Sequence, residues 1–156
     1  MNKKGFTLVE LLAVVGILTV LILIAIPNAI SAYNNSKKKN FLTDVQTVYK
    51  TAIAQNEADH YGKRIDGVYA RLDGEPVEGA ESLELTGSTK MSYYIRVSFD
   101  GVVQEFFASD GEFQYYFANP INDVNMITED NIKYFKDLES GEVIKADEFI
   151  NSRCRK

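Results

Sequence analysis

An uninterrupted apolar run near the N-terminus, from Phe6 to Ile26, constrains this chain more than any other feature. As an α-helix this run spans about 31 Å, which is close to the thickness of the hydrocarbon core of a bilayer. Lysines before the run favour a cytoplasmic N-terminus, although the three lysines at 37–39 on its other side weaken that orientation. The run therefore predicts one membrane-spanning helix.

Glu10 is the only charged residue in the run. It bears on whether the run is a secretory signal peptide, a plain membrane anchor or a helix with a further role. A secretory signal peptide has a shorter apolar stretch, of about 7–15 residues, and a small-residue cleavage site, which the residues around Pro27 do not supply. A plain membrane anchor explains the length of the run, but not a carboxylate at membrane depth, which costs up to about 3 kcal/mol. Since the run contains no cation, Glu10 predicts a partner outside this chain.

The remainder of the chain has a different character. From Phe41 onward there are 21 acidic and 12 basic residues, so this portion carries a formal charge of −9. A surface of that sign repels phosphate groups, and we expect no direct nucleic-acid site on it. With 156 residues in all, the chain is long enough for one domain with its own apolar core.

The residues from Lys3 to Leu12, KKGFTLVELL, combine a short basic leader, a Gly-Phe junction and a glutamate five residues after the glycine. Followed by the apolar run through Pro27, this combination resembles the processing and assembly motif of type IV prepilins and pseudopilins. The resemblance implies an α+β fold. A long N-terminal helix, half in the membrane and half amphipathic, would pack on an antiparallel β-meander of three to four strands.

The resemblance also implies roles for individual residues. A prepilin peptidase would cut between Gly5 and Phe6, releasing residues 1–5 as a leader, and would methylate the new amine of Phe6. Removal of the leader takes away two lysines, so the formal charge would move from −5 to −7. In the filament, Glu10 would meet the N-terminal amine of a neighbouring subunit. It would set the axial register of the subunits, because breaking a buried ion pair costs about 3–5 kcal/mol.

Gly16 and Pro27 are expected to interrupt the helix at its middle and at its end. Glycine lowers helix propensity, and proline removes a backbone hydrogen bond and kinks the chain. The resemblance implies that this stretch unwinds when subunits pack into a fibre. A simple kink at the membrane surface is the alternative for Pro27.

In function, the resemblance implies a structural subunit rather than an enzyme. The chain would polymerise through its apolar helix into a type IV pilus that serves adhesion, motility or DNA uptake. A pseudopilin of a type II secretion or competence apparatus is the alternative, and a membrane-anchored enzyme is the distant one. The chain would begin as a single-pass membrane protein and end in a cell-surface pilus of a bacterium. Expected partners are other pilin subunits, the prepilin peptidase, the inner-membrane assembly platform and, before assembly, membrane lipid.

Beyond the transmembrane and assembly helix of residues 6–27, hydrophobic periodicity predicts the rest of the fold. Alternating apolar residues from Met91 to Phe99, followed by turns at Asp100-Gly101 and Asp110-Gly111, predict the meander. Tyr94 and Tyr116 fall on its other face, as a packing or adhesive surface or as ordinary strand tyrosines. The predicted regions are an amphipathic helix at 28–60 with a stripe of Phe41, Val45, Val48, Tyr49, Ala52 and Ile53, an irregular connection at 62–90 with a short strand near Val68–Leu72, the meander at 91–118, and a tail at 121–156 with a last helix at 147–153.

The sequence contains no pattern typical of catalysis, a cofactor or a metal site. His60 is the only histidine, and Cys154 is the only cysteine, which predicts a free thiol in a frayed tail or a bridge to another chain. A calcium loop at Asp123–Asp130 would lack the central glycine and the final glutamate. We therefore expect no catalytic residue, no cofactor and no metal ligand.

Overall fold

A computed structural model describes residues 7–85 and 90–154 of this chain. These residues form two compact units, which divide at Lys37 and Lys38 and are described separately below. Helix α1 belongs to both units. The elements are α1 (Leu8–Asp59), β1 (Gly67–Leu72), β2 (Glu75–Pro76), β3 (Ser92–Val97), β4 (Val103–Ser109), β5 (Phe113–Phe117), β6 (Ile132–Tyr134) and α2 (Ala146–Cys154), with single 3-10 turns at Val124–Met126, Glu129–Asn131 and Phe135–Asp137.

The first unit consists of the N-terminal part of α1. Every described residue from Thr7 to Tyr33 is exposed to solvent in the isolated chain, including all of its large aliphatic side chains. Among the residues that the structure describes, α1 is the one helix long and apolar enough to cross a membrane. A helix that is apolar on all sides needs lipid or other helices around it. The apolar surface of this part of α1 is therefore exposed unfavourably when the chain is alone in water.

The second unit is built on a six-stranded antiparallel sheet with the order β2-β1-β3-β4-β5-β6. The α+β fold class is therefore confirmed, but the sheet is larger than the three to four strands expected. The short strand predicted near Val68–Leu72 is confirmed as β1, which pairs along its length with β3. The region 62–90, otherwise predicted to be irregular, also contributes β2, which pairs with β1. The predicted hairpin turns at Gly101 and Gly111 are present, with φ of +82° and +89°.

One face of the sheet packs against residues 38–59 of α1. The apolar stripe predicted for this helix is confirmed, since five of its members are fully buried and Ile53 is partly buried. Alternate residues of β1, β3, β4 and β5 meet this stripe, as the period of two requires. The sheet side of this core includes Tyr69, Tyr93, Ile95, Val97, Phe106, Ala108, Phe113 and Tyr115.

The opposite face of the sheet is covered by α2. The last helix predicted at 147–153 is confirmed, but the sequence did not indicate where it packs. Ile150 and Cys154 of α2 form a second apolar cluster with Ala70, Tyr94 and Phe107 of the sheet. Of the alternatives given for Tyr94, an adhesive surface is wrong, because this side chain is only 4% exposed and packs in that cluster. The expectation of a frayed tail at Cys154 is wrong as well. Cys154 lies in the last turn of α2 and is buried, and this burial raises the pKa of its thiol.

Helix α2 is held on the sheet by one aromatic residue and one ion pair. The ring of Phe149 packs against Tyr94, Phe107 and Tyr116, at centroid distances of 5.9, 4.9 and 5.4 Å. The guanidinium of Arg153 lies 3.7 Å from the centroid of the Phe149 ring, and its Nη2 is 2.8 Å from Oε1 of Glu105 on β4. The segment that leads to α2 is attached to the sheet by the buried Gln114. Its Nε2 donates to the Glu142 carbonyl, and its Oε1 accepts from the Ile144 amide. These contacts make the C-terminal segment part of the folded domain.

The pH dependence of stability is predicted to include a destabilising contribution from Asp44 on α1. Burial, and then the nearby Asp110 carboxylate, raise the pKa of Asp44 above its ordinary value. Because the folded state then binds its proton more tightly than the unfolded state does, this contribution lowers stability as pH rises through the unfolded and folded pKa values of the group. Asp44→Asn is expected to raise the free energy of unfolding of the micelle-bound full chain at pH 7, by less than about 1 kcal/mol.

The advantage of Asp44→Asn should shrink as the pH is lowered, because protonation of the wild-type carboxyl removes the charge that opposes folding. The exposed Glu84→Gln is the matched control and should not change this pH profile. Denaturant titrations at several pH values measure both variants. An Asp44→Asn advantage that grew on acidification would contradict the assignment.

Candidate functional site

The N-terminus of α1 is closed by a reciprocal pair of side chains, Thr7 and Glu10. The Thr7 amide donates to Oε2 of Glu10 at 2.8 Å, and the Thr7 hydroxyl donates to the same oxygen at 2.9 Å. In return, the Glu10 amide donates to the Thr7 hydroxyl oxygen at 3.3 Å. This is a capping box, which satisfies amide groups that a helix start otherwise leaves unpaired.

The capping box gives Thr7 a role that the sequence reasoning missed. The signal was present, because Thr7-Leu8-Val9-Glu10 is the Thr-x-x-Glu pattern of a helix start. The capping box fixes the position of the Glu10 side chain. The Glu10 carboxylate is held beside the first turn of α1 instead of sampling several rotamers, so it is already placed at the N-terminal end of the apolar helix.

The apolar surface next to Glu10 has no covering in the single chain. Exposed aliphatic side chains point outward all round the first unit, and among them Leu8, Val9, Leu11 and Leu12 flank the carboxylate, each more than 60% exposed. Burial of such side chains contributes about 25 cal/mol per Å2 of apolar surface removed from water. Removal from water would also bury Glu10, whose charge then requires a cation.

Two polar side chains in the N-terminal part of α1 bond to the backbone of the helix itself. The Thr19 hydroxyl donates to the Val15 carbonyl at 2.8 Å, and the Asn28 amide donates to the Ile24 carbonyl at 3.4 Å. Bonds of this kind let hydroxyl and amide groups enter an apolar environment without an outside partner. Glu10 differs from them, because its hydrogen bonds to Thr7 leave the charge of the carboxylate in place.

The expected interruption of the helix at Gly16 and Pro27 is absent from the subunit described. Helix α1 runs through both residues, with Pro27 inside it. Proline removes one hydrogen bond, to the carbonyl four residues earlier, but the hydrogen bonds on both sides keep the helix continuous. No neighbouring atom lies within 4 Å of a Cβ placed on Gly16. Unwinding of this stretch in a fibre stays a prediction.

The remaining residues singled out in the sequence are not members of the capping box. Gly5 and Phe6, the predicted cleavage junction, are outside the described residues. His60 follows the C-terminal end of α1, and Cys154 lies in the last turn of α2. Within 7–85 and 90–154 no group of three or more His, Cys, Asp or Glu side chains could hold a metal ion.

Comparison with known proteins identifies the N-terminal region. Residues 1–26 match the family model described as the prokaryotic N-terminal methylation motif. The chain is 41% identical over 63 residues to competence protein ComGC of Bacillus subtilis, a match covering 40% of this chain and 63% of that protein. It is 43% identical over 64 residues to prepilin peptidase-dependent protein D of Escherichia coli, covering 39% of this chain and 41% of that protein.

A ComG operon protein 3 homolog from Bacillus licheniformis matches at 38% identity, over 40% of this chain and 64% of the relative. The chain thus spans less than two thirds of the length of each of these relatives. No solved structure matches the chain.

Proposed function

Because this chain belongs to the type IV pilin and pseudopilin family and is anchored in a bacterial membrane by its N-terminal helix, we propose that it is a structural filament subunit. In this proposal α1 holds the subunit in the membrane and then packs against the same helix of other subunits in a type IV pilus. No chemical step is assigned to it. The single observation that carries the proposal is Glu10, a carboxylate with fixed geometry in a helix that is otherwise apolar and uncovered.

Assembly would bury Glu10 beside the N-terminal amine of a neighbouring subunit. Cleavage between Gly5 and Phe6 creates that amine, and its methylation by the same peptidase leaves it cationic. Oε2 of Glu10 already accepts two hydrogen bonds from Thr7, so these bonds replace part of its hydration before the cation binds. A helix inserted in the wrong axial register would leave both charges unpaired, at a cost of about 3–5 kcal/mol.

Processing depends on the residue before the cleaved bond. Gly5 has no side chain, which lets a membrane-embedded peptidase approach the backbone closely. We expect Gly5→Leu to leave the full-length precursor in the membrane, with at least about a tenfold loss of processed chain, since misplacing a scissile bond by 1 Å costs about 100-fold in rate. Immunoblots of membrane fractions measure this, and Gly16→Leu, in open space on α1, is the matched control for processing. Normal processing of Gly5→Leu would contradict the junction.

Intact-protein mass spectrometry of membranes and of material sheared from native cells tests the proposal directly. The expected species in the sheared fraction begins at methylated Phe6. A chain that keeps Met1–Gly5 and occurs only in membranes would instead identify an ordinary anchor, and the filament proposal would then be abandoned.

A second candidate is a subunit of a competence or secretion pseudopilus. The match to competence protein ComGC favours it, since the name of that relative assigns it to competence. Deleting the gene and measuring both transformation and surface filaments separates the two candidates. Loss of DNA uptake without loss of long filaments or motility would favour the pseudopilus.

A further inference from the structure

A cavity of about 520 Å3 opens at one end of the second unit, where the C-terminal end of α1 meets the turn between β3 and β4. Its volume lies within the range of about 300–1,000 Å3 that is typical of ligand sites. Residues 56–64 form one wall, and Phe99, Asp100 and Gly101 of the β3–β4 turn form the other. The cavity therefore lies wholly within one compact unit.

The wall of the cavity is organised by Asn56, a side chain only 3% exposed. Its amide nitrogen donates to the Ser98 carbonyl at 3.4 Å, which ties α1 to the end of β3. Its amide oxygen lies 3.1 Å from Nδ1 of His60. Because that oxygen can only accept, Nδ1 carries the proton, and Nε2 is the ring nitrogen left to bond elsewhere. The imidazole is thus oriented by a buried group.

Two aromatic side chains at the cavity are exposed. Tyr61 is 90% exposed and Phe99 is 54% exposed, although the core of this unit buries most of its other rings. The Arg64 guanidinium lies over the Phe99 ring at 5.8 Å. Gly62 and Gly101 have positive φ and open space where a Cβ would be, so the backbone turns away without filling the cavity. The aromatic faces are left accessible to a ligand.

The charges that line the cavity balance. Lys63 and Arg64 are cationic, whereas Glu57 and Asp100 are anionic. The Asp100 carboxylate also accepts a hydrogen bond from the Ser98 hydroxyl. Two carboxylates in the lining disfavour a polyanion, and two cations disfavour a polycation. The ligand that suits this lining is neutral, has donors and acceptors on its edge, and has an apolar face for a ring.

We propose that this cavity is a binding site for a neutral saccharide. A pyranose offers C–H groups on one face, which pack on an aromatic ring, and hydroxyl groups on its edge, which bond to carboxylate, guanidinium and imidazole groups. Phe99 and Tyr61 would supply the ring contacts, and His60 Nε2, Glu57 and Arg64 the hydrogen bonds. The site would add recognition of glycans to the proposed filament subunit, but binding itself requires only the folded second unit.

Saturation-transfer NMR on the full chain in dodecylphosphocholine micelles tests this site, because that detergent carries no sugar. The probes are maltotriose and N,N′,N″-triacetylchitotriose, both neutral, at millimolar concentration. We expect transfer to the ring protons of at least one probe, and about a 3- to 10-fold weaker affinity in Phe99→Leu, which keeps an apolar side chain but removes the aromatic face. The double variant Tyr61→Leu, Phe99→Leu should abolish transfer.

Tyr116→Leu is the matched control, since Tyr116 is an exposed ring on β5 outside the cavity, and it should bind as the wild type does. Circular dichroism shows whether each variant is folded, and Asp100→Asn is a second cavity variant if Phe99→Leu does not fold. Absence of transfer to both probes, or equal binding by the Phe99 and Tyr116 variants, overturns the proposal. Loss of filaments in the cavity variants without any sugar binding would make the cavity a contact between subunits. Because the readout uses unassembled protein, failure here leaves the filament proposal unaffected.

Discussion

Replacing Glu10 with glutamine is expected to reduce surface filaments at least about 100-fold while leaving the amount of subunit in the membrane unchanged. The physical reason is the buried amine of the neighbouring subunit, which would lose its counter-charge. Breaking such a pair costs about 3–5 kcal/mol, and each 1.4 kcal/mol is a factor of about ten in an association constant.

Glutamine is the informative substitution because it separates charge from helix capping. A Gln side-chain oxygen can still accept from the Thr7 amide, so the capping box at the start of α1 is retained. A loss of filaments in Glu10→Gln is then attributable to the missing charge. Glu10→Ala removes both functions, and the difference between the two variants measures what the cap contributes to assembly.

Electron microscopy counts of filaments, together with immunoblots of membrane fractions, measure the result. Asp59→Asn, an exposed carboxylate at the other end of α1, is the control and should assemble normally. Normal filament numbers in Glu10→Gln would contradict the ion pair. A loss of subunit from the membrane would instead assign Glu10 to insertion.

Replacing Ile150 with alanine is expected to destabilise the second unit by about 3 kcal/mol. Ile150 is fully buried between α2 and the outer face of the sheet, and Ile→Ala substitutions at buried sites cost about 2–5 kcal/mol because they leave a cavity. This domain has no disulfide among its described residues, so packing of α2 is what attaches its C-terminal segment.

Urea titrations of the full chain in micelles measure this loss as a shift of the unfolding midpoint. Ile65→Ala is the matched control, since Ile65 is about half exposed and the same substitution there should change stability by less than about 0.5 kcal/mol. If Ile150→Ala behaved like the control, α2 would be detached from the sheet in solution. Tyr94 and Phe107 would then be exposed.

Much of this protein could be predicted from short stretches of its sequence. The apolar run indicated a helix long enough to cross a membrane, and residues 3–12 indicated the prepilin motif that the family match over residues 1–26 supports. The stripe from Phe41 to Ala52 placed one face of α1 on a sheet, and Asp100-Gly101 and Asp110-Gly111 placed two hairpin turns. These features depend on periodicity and on backbone preferences, which are properties of neighbouring residues.

The tertiary structure decided which surfaces meet. Nothing in the alternation of β3 told whether Tyr94 faces solvent or a second layer, because a half-buried strand and a strand covered on both faces differ only in what packs on them. Three further features have the same origin. They are the insertion of β1 beside β3, the burial of Cys154 between α2 and the outer face of the sheet, and the continuity of α1 through Pro27. Each depends on contacts between residues far apart in the chain, or on the cooperativity of a whole element, and local patterns do not encode either one.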